Sequence, residues 1–99
     1  MTYRVVVTSE AEQDLDELFR FVALDNPAAA RKVVAVLRKR VKTLASMPKR
    51  CPRAPEDGLD GLEIRHLVHG RYRIIFGIDG KTVVILQVRH GGRLLTTEG

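Results

Sequence analysis

The chain has one cysteine, Cys51, and therefore no internal disulfide. It has no apolar run near the roughly 20 residues a membrane-crossing helix needs, and its first residues, Met1 to Glu10, lack a basic start followed by a long apolar stretch. These absences predict a protein of the reducing cytoplasm that does not span a membrane. No G-x-x-x-x-G-K, G-x-G-x-x-G or H-E-x-x-H occurs, so a nucleotide cradle and zinc-protease chemistry have no basis, and no cofactor is expected. His66 and His69 are three apart on a predicted strand, where they would point to opposite faces, and no carboxylate or cysteine completes a ligand set. No metal site is predicted. Cys51 lies beside Lys49, Arg50 and Arg53 but has no placed base, and it is assigned no role.

Acid is also missing from one long stretch. Residues 27–53 carry Arg31, Lys32, Arg38, Lys39, Arg40, Lys42, Lys49, Arg50 and Arg53 without a single Asp or Glu, whereas residues 1–26 hold Glu10, Glu12, Asp14, Asp16, Glu17 and Asp25 against Arg4 and Arg20. Such a block, in a chain of net charge +5, raises the local concentration of anionic partners or serves as a solvated helix face. At 99 residues with 44% hydrophobic content the chain suits one domain, residues 1–99, with a shallow surface site and no deep pocket.

Tyr3 to Thr8 reads as a strand whose three valines suggest burial on both faces. Ser9 and Glu12 form an S-x-x-E capping box, and Ala11, Leu15, Leu18, Phe19 and Val22 then recur at helical spacing. Asn26 and Pro27 suit the cap and first position of a second helix, striped by Ala30, Val33, Val34, Leu37, Val41 and Leu44 and ending near Met47. The short link makes the helices antiparallel. Residues 49–61 form a Pro- and Gly-containing loop, followed by strands at 62–68, 72–78 and 82–89 joined at His69-Gly70 and Asp79-Gly80. The fold class is α+β: an N-terminal strand, a two-helix hairpin, then a three-stranded antiparallel meander, in one sheet with the helices on one face.

With both turns taken as two-residue loops, Ile74, Phe76, Val83 and Ile85 form the helix-facing side, and His66 opposes Arg73 on the other. That open face then carries His66, Arg71, Arg73, Leu86, Val88 and His90, with Arg93 just beyond. Arginine forks and histidines suit an anion there, while the bland alternative is a strand face kept soluble by charge.

The order of features resembles a known family. Thr8-Ser9-Glu10-Ala11, Asp14-Leu15, Pro27-Ala28-Ala29-Ala30, Leu44-Ala45-Ser46-Met47-Pro48, Ile64-Arg65-His66-Leu67, Tyr72-Arg73-Ile74-Ile75-Phe76 and Val84 through Gly91 together resemble the ParE branch of the RelE/ParE toxin superfamily. The resemblance implies a toxin of a type II toxin–antitoxin module, hetero-oligomeric with a cognate antitoxin, that inhibits DNA gyrase. Its alternative is a RelE-like endonuclease that cuts mRNA on the ribosome, and a non-toxic basic adaptor is the third reading. Arg73 matches the arginine of the superfamily's Tyr-Arg motif; a ribonuclease would draw on His66, Arg73 and His90. The lysine, arginine and tyrosine of RelE-like enzymes are otherwise unmatched, which favours a non-enzymatic inhibitor. Target contacts are expected from Arg65, Arg71, Arg73, His90 and Arg93, and antitoxin contacts from Leu18, Val22, Val34, Arg38, Lys39 and Val41.

Overall fold

The computed structural model describes residues 2–55 and 61–90. The chain runs β1 (Arg4–Val7), α1 (Ser9–Ala23), α2 (Pro27–Thr43), β2 (Glu63–His69), β3 (Tyr72–Asp79) and β4 (Thr82–His90), with a 3-10 turn at Pro48–Arg50. One sheet has the order β1-β4-β3-β2. β2, β3 and β4 form the expected antiparallel meander, and β1 lies parallel to β4, with Arg4 opposite Thr82 and Val7 opposite Ile85. A parallel neighbour requires a long crossover, here supplied by the helical hairpin.

The cap of α1 is Thr8, one residue earlier than the capping box implies. Thr8 has extended backbone, and its Oγ1 accepts from the Ala11 N–H at 3.1 Å. Glu12 turns outward, where its two oxygens accept from Arg38 Nη2 and Nη1 at 2.8 and 3.2 Å, joining α1 to α2. Asn26 caps α2 as expected, accepting from the Ala29 N–H at 3.1 Å. That helix stops at Thr43, short of Met47, because the next turn tightens to Leu44 N–H→Val41 O and Ala45 N–H→Lys42 O. Met47 takes a left-handed φ of 49°, and Arg50 Nη1 donates to Ser46 O and Met47 O.

Leu15, Leu37, Leu44, Ile74, Phe76, Val83 and Ile85 are fully buried between the hairpin and one sheet face. Each such side chain gains about 1.5–3 kcal/mol by leaving water. Val6 is 42% exposed, which corrects the expectation that β1 is buried on both sides: β1 is an edge strand, and Val6 lies in a row with Val84 and Gly77 on the face away from the helices.

The turns fall one residue later than expected. His69 pairs with Tyr72 and Asp79 with Thr82, leaving Gly70-Arg71 and Gly80-Lys81 as the loops. Gly70 and Gly80 have φ of 59° and 62°, and a two-residue turn with positive φ at its first position selects glycine there. Moving a turn by one residue slides the pairing by two. Side-chain parity therefore survives: His66 opposes Ile75 and not Arg73, yet His66 and Arg73 still share a face.

A β-bulge breaks that parity. The register passes from Phe76↔Ile85 to Ile75↔Gln87, so Leu86 is the extra residue on β4. Beyond it Val88 pairs with Ile74 and His90 with Tyr72, which puts Val88 and His90 on the helix side, not on the open face. The backbone groups at the bulge are met from α1 and its cap. Thr8 Oγ1 donates to Ile85 O at 2.7 Å, and Asp14 Oδ2 accepts from the Val88 N–H at 2.9 Å.

Partial burial raises the Asp14 carboxyl above its ordinary 3.8, with the Val88 N–H acting in the opposite direction. A folded pKa above the unfolded one gives a contribution present below about 3.8 and lost as pH rises through the folded value. At neutral pH, Asp14→Asn, which keeps an oxygen for Val88 without a charge to desolvate, should therefore be neutral or mildly stabilising. Asp14→Ala should cost about 1–3 kcal/mol by orphaning the Val88 N–H. Thermal denaturation of the two variants checks this; an Asn variant as unstable as the Ala variant would contradict it.

Candidate functional site

The sheet face away from the helices has two halves. At one end Ile64 and Ile75 are buried beneath Ala54, with Leu62 and Leu86 packed alongside. The loop forms this cover: Ala54 N–H donates to Ile64 O at 3.0 Å and His66 N–H to Pro52 O at 3.1 Å, blunting the edge of β2. Gly77 sits on the same face, where a Cβ would come within 2.8 Å of the Leu62 side chain.

The other end is polar. Val68, Arg73 and Arg89 form one row across β2, β3 and β4, and His66, Ile75 and Gln87 form the next. Arg73 Nε donates to His66 Nδ1 at 2.9 Å, and Arg89 Nε donates to Gln87 Oε1 at 3.2 Å. Arg73 and Arg89 stand directly opposite each other across β3 and β4, so two guanidinium groups lie side by side on this face. With Nδ1 accepting from a guanidinium, a neutral His66 ring carries its proton on Nε2.

Of the described residues expected to touch a target, only Arg73 stays on this face within a strand. Arg71 is exposed in the β2–β3 turn. Arg65 faces the helix side, where it donates to Glu63 Oε2 and to the Cys51 carbonyl and so anchors the 3-10 turn. His90 lies edge-on to Tyr72 on that same side, with ring centroids 5.4 Å apart. Arg93 lies outside the described residues. The three candidate ribonuclease residues thus do not converge: His66 and Arg73 meet, and His90 is on the opposite side of the sheet. Arg89 and Gln87 were missed, and the one sign of them in the sequence is polar Gln87 standing where alternation from Val83 and Ile85 would put a core residue.

On the hairpin, Val41 belongs to the core and is not available to a partner, because it points into the sheet with Leu37. Leu18, Val22 and Val34 are half-buried, Arg38 is engaged by Glu12, and Lys39 is exposed. A shallow groove of about 230 Å³ runs between α2 and the β2–β3 turn, lined by Lys32, Val33, Val36, His69, Gly70 and Tyr72. Phe21 and Leu24 are exposed at the end of α1. Burial pushes the Cys51 thiol up, against the nearby charges of Arg50 and Arg65, so it is no poised nucleophile. Among the described residues no group of three His, Cys, Asp or Glu could hold a metal ion, and no helix is long and apolar enough to cross a membrane.

The family described as the ParE toxin of the type II toxin–antitoxin system, parDE, matches residues 5–95. The chain belongs to this family. Its fold is similar to that in the chromosomal ParDE toxin–antitoxin system from P. aeruginosa, with a TM-score of 0.70 at 24% identity, covering 90% of this chain and 96% of the other. It is also similar to a chain of the toxin–antitoxin complex RelBE2 from Mycobacterium tuberculosis, with a TM-score of 0.67 at 28% identity over 91% and 92% of the two chains. The archaeal RelE–RelB complex from Pyrococcus horikoshii OT3 follows at 0.55 and 22% identity, over 95% and 100%. No curated protein matches in sequence. As a ParE-family toxin, the chain carries its arginine pair on the sheet face opposite its helical hairpin.

Proposed function

We propose that this ParE-family toxin is a stoichiometric inhibitor of DNA gyrase in the cytoplasm, kept inactive by a cognate antitoxin. The observation that carries the proposal is the composition of the open sheet face: Arg73 and Arg89 for an anion and, among the described residues, no placed pair of acid and base. General acid–base catalysis needs a proton acceptor within reach of the reacting hydroxyl. His66 in its neutral form offers a protonated Nε2, and His90 lies behind the sheet with Tyr72. A face of this kind binds; it is poorly equipped to turn over.

The neighbours named above come from toxin–antitoxin complexes, which supports an antitoxin partner here. The half-buried stripe of Leu18, Val22 and Val34 and the groove beside Lys32 suit an amphipathic acidic segment that folds as it binds. An antitoxin carboxylate aimed at Arg38 would have to displace Glu12, whereas one aimed at Lys39 would not. The second reading, a RelE-like ribosome-dependent endonuclease, draws on the direct contact between His66 and Arg73.

Purified toxin should inhibit supercoiling, or trap the cleaved-DNA complex, at concentrations comparable with gyrase itself. It should leave mRNA on translating ribosomes uncut. Catalytic cleavage of ribosome-bound mRNA that is lost in His66→Ala or Arg73→Ala, with gyrase untouched, would replace the first reading by the second.

A further inference from the structure

The exposed side of α2 is unusually one-signed. Arg31, Lys32, Arg38, Lys39 and Lys42 are all exposed, and at 3.6 residues per turn they fall within an arc of about 120° on the side away from Leu37 and Val41. Along the axis they span about 16 Å, from a rise of about 1.5 Å per residue. Arg38 is bound by Glu12 and has Asp16 nearby on α1. Among the described residues, Arg31, Lys32, Lys39 and Lys42 have no carboxylate within ion-pair distance. Repulsion within such a row is relieved by a polyanion with regularly spaced charges.

We infer that this face of α2 is a binding surface for the phosphodiester backbone of duplex DNA. The inference deepens the gyrase reading and rests on it for its biological sense, since gyrase acts on duplex DNA. Three observations select the polymer. The face is a single helix of 17 residues, a shape that the major groove of B-DNA admits and the deep, narrow groove of an RNA duplex does not. It carries no aromatic side chain, so it lacks the stacking platform by which single strands are held. Its members are lysines and arginines with alanines between them and no Asn or Gln, so it can grip phosphates without reading bases. The sheet face bearing Arg73 and Arg89 lies on the far side of the molecule. A toxin bound to gyrase through the sheet could therefore hold the enzyme's DNA through α2.

The test is the salt dependence of binding. The full-length toxin, free of antitoxin, is titrated against a short mixed-sequence DNA duplex by fluorescence anisotropy. Four phosphate contacts give a log–log slope of about −3.6, or about a 150-fold loss of affinity between about 50 and 200 mM salt. Lys32→Gln/Lys39→Gln should bring the slope to about −1.8 and the loss to about 12-fold over the same range. Lys81→Gln, which removes an exposed cation from the β3–β4 turn, should leave the slope unchanged and serves as the control. An unchanged slope in the double variant, an equal effect of Lys81→Gln, or tighter binding of single-stranded RNA overturns the inference. Supercoiling assays on the same proteins separate it from the gyrase reading. Duplex binding without gyrase inhibition defeats that reading and leaves the surface standing; inhibition without duplex binding does the reverse.

Discussion

Arg73→Ala should abolish growth arrest on expression while the variant still folds and still binds its antitoxin. Arg73 is half-buried at the centre of the polar end of the sheet, with Val68 on one side, Arg89 on the other and its Nε fixed on His66. An anion bound there is met by a guanidinium already oriented, and alanine removes the charge and the fork together. Its effect on stability should be small, about 1 kcal/mol, because the site opens to water that can replace the lost donor. Arg73→Lys should restore little, since an ammonium keeps the charge but lacks the planar paired donors. The readouts are growth after induction, with and without antitoxin, and thermal denaturation of the purified variants. A folded alanine variant that remains fully toxic would mean that the charges on this face only keep it soluble.

Phe76→Ala should have the largest effect on stability. Phe76 is completely buried, shares its row with Ile85 and lies in the core with Leu15 and Leu37. Truncating a buried Phe costs about 3–5 kcal/mol, counting both lost transfer energy and the cavity left behind. Domains of this size hold only about 5–15 kcal/mol in total, and each kcal/mol moves the midpoint by about 4–8 °C. The free variant should melt tens of degrees lower, and its toxicity should fall as the unfolded fraction grows. Antitoxin, by binding only the folded form, should recover much of the lost midpoint. A midpoint within a few degrees of the parent would show that the core collapses around the missing ring.

The architecture was legible because it rests on local signals that agree. Asn26 before Pro27, the stripe from Ala30 to Leu44 and the glycines of the two hairpins each specify their element unaided, and the structure follows them. Misplacing the two turns by one residue did no damage to the faces, since the resulting slip of two keeps each side chain on its own side. The site was only half legible. His66 and Arg73 were placed together correctly, but one uncounted residue, Leu86, carries His90 and Val88 to the helices and brings Arg89 up beside Arg73. A bulge is set by tertiary contacts, here Thr8 on the Ile85 carbonyl and Asp14 on the Val88 amide, residues about seventy-five positions away in the chain. Alternation within a strand holds no record of them. The same limit applied to Arg65 and Val41: composition marks them as a surface cation and a stripe member, and only packing shows one tied to the Cys51 carbonyl and the other sealed in the core.

The extra residue at Leu86 acts on β4 like a frame change in a coded message. Before it, odd-numbered positions face the helices; after it, even-numbered ones do. Straightening the bulge with Leu86 still in place would turn Arg89 toward the apolar core and Val88 and His90 out beside Arg73, whereas deleting Leu86 would leave Gln87 opposite Ile75 and every later residue on the face it has now. Sequence drift in this strand is thereby partitioned: substitutions can tune either face one residue at a time and loss of Leu86 keeps both faces, but a strand that keeps its length and loses the bulge exchanges its faces beyond that point. Relatives that lack the residue at Leu86 should therefore present the same side chains beside Arg73, from a regular strand.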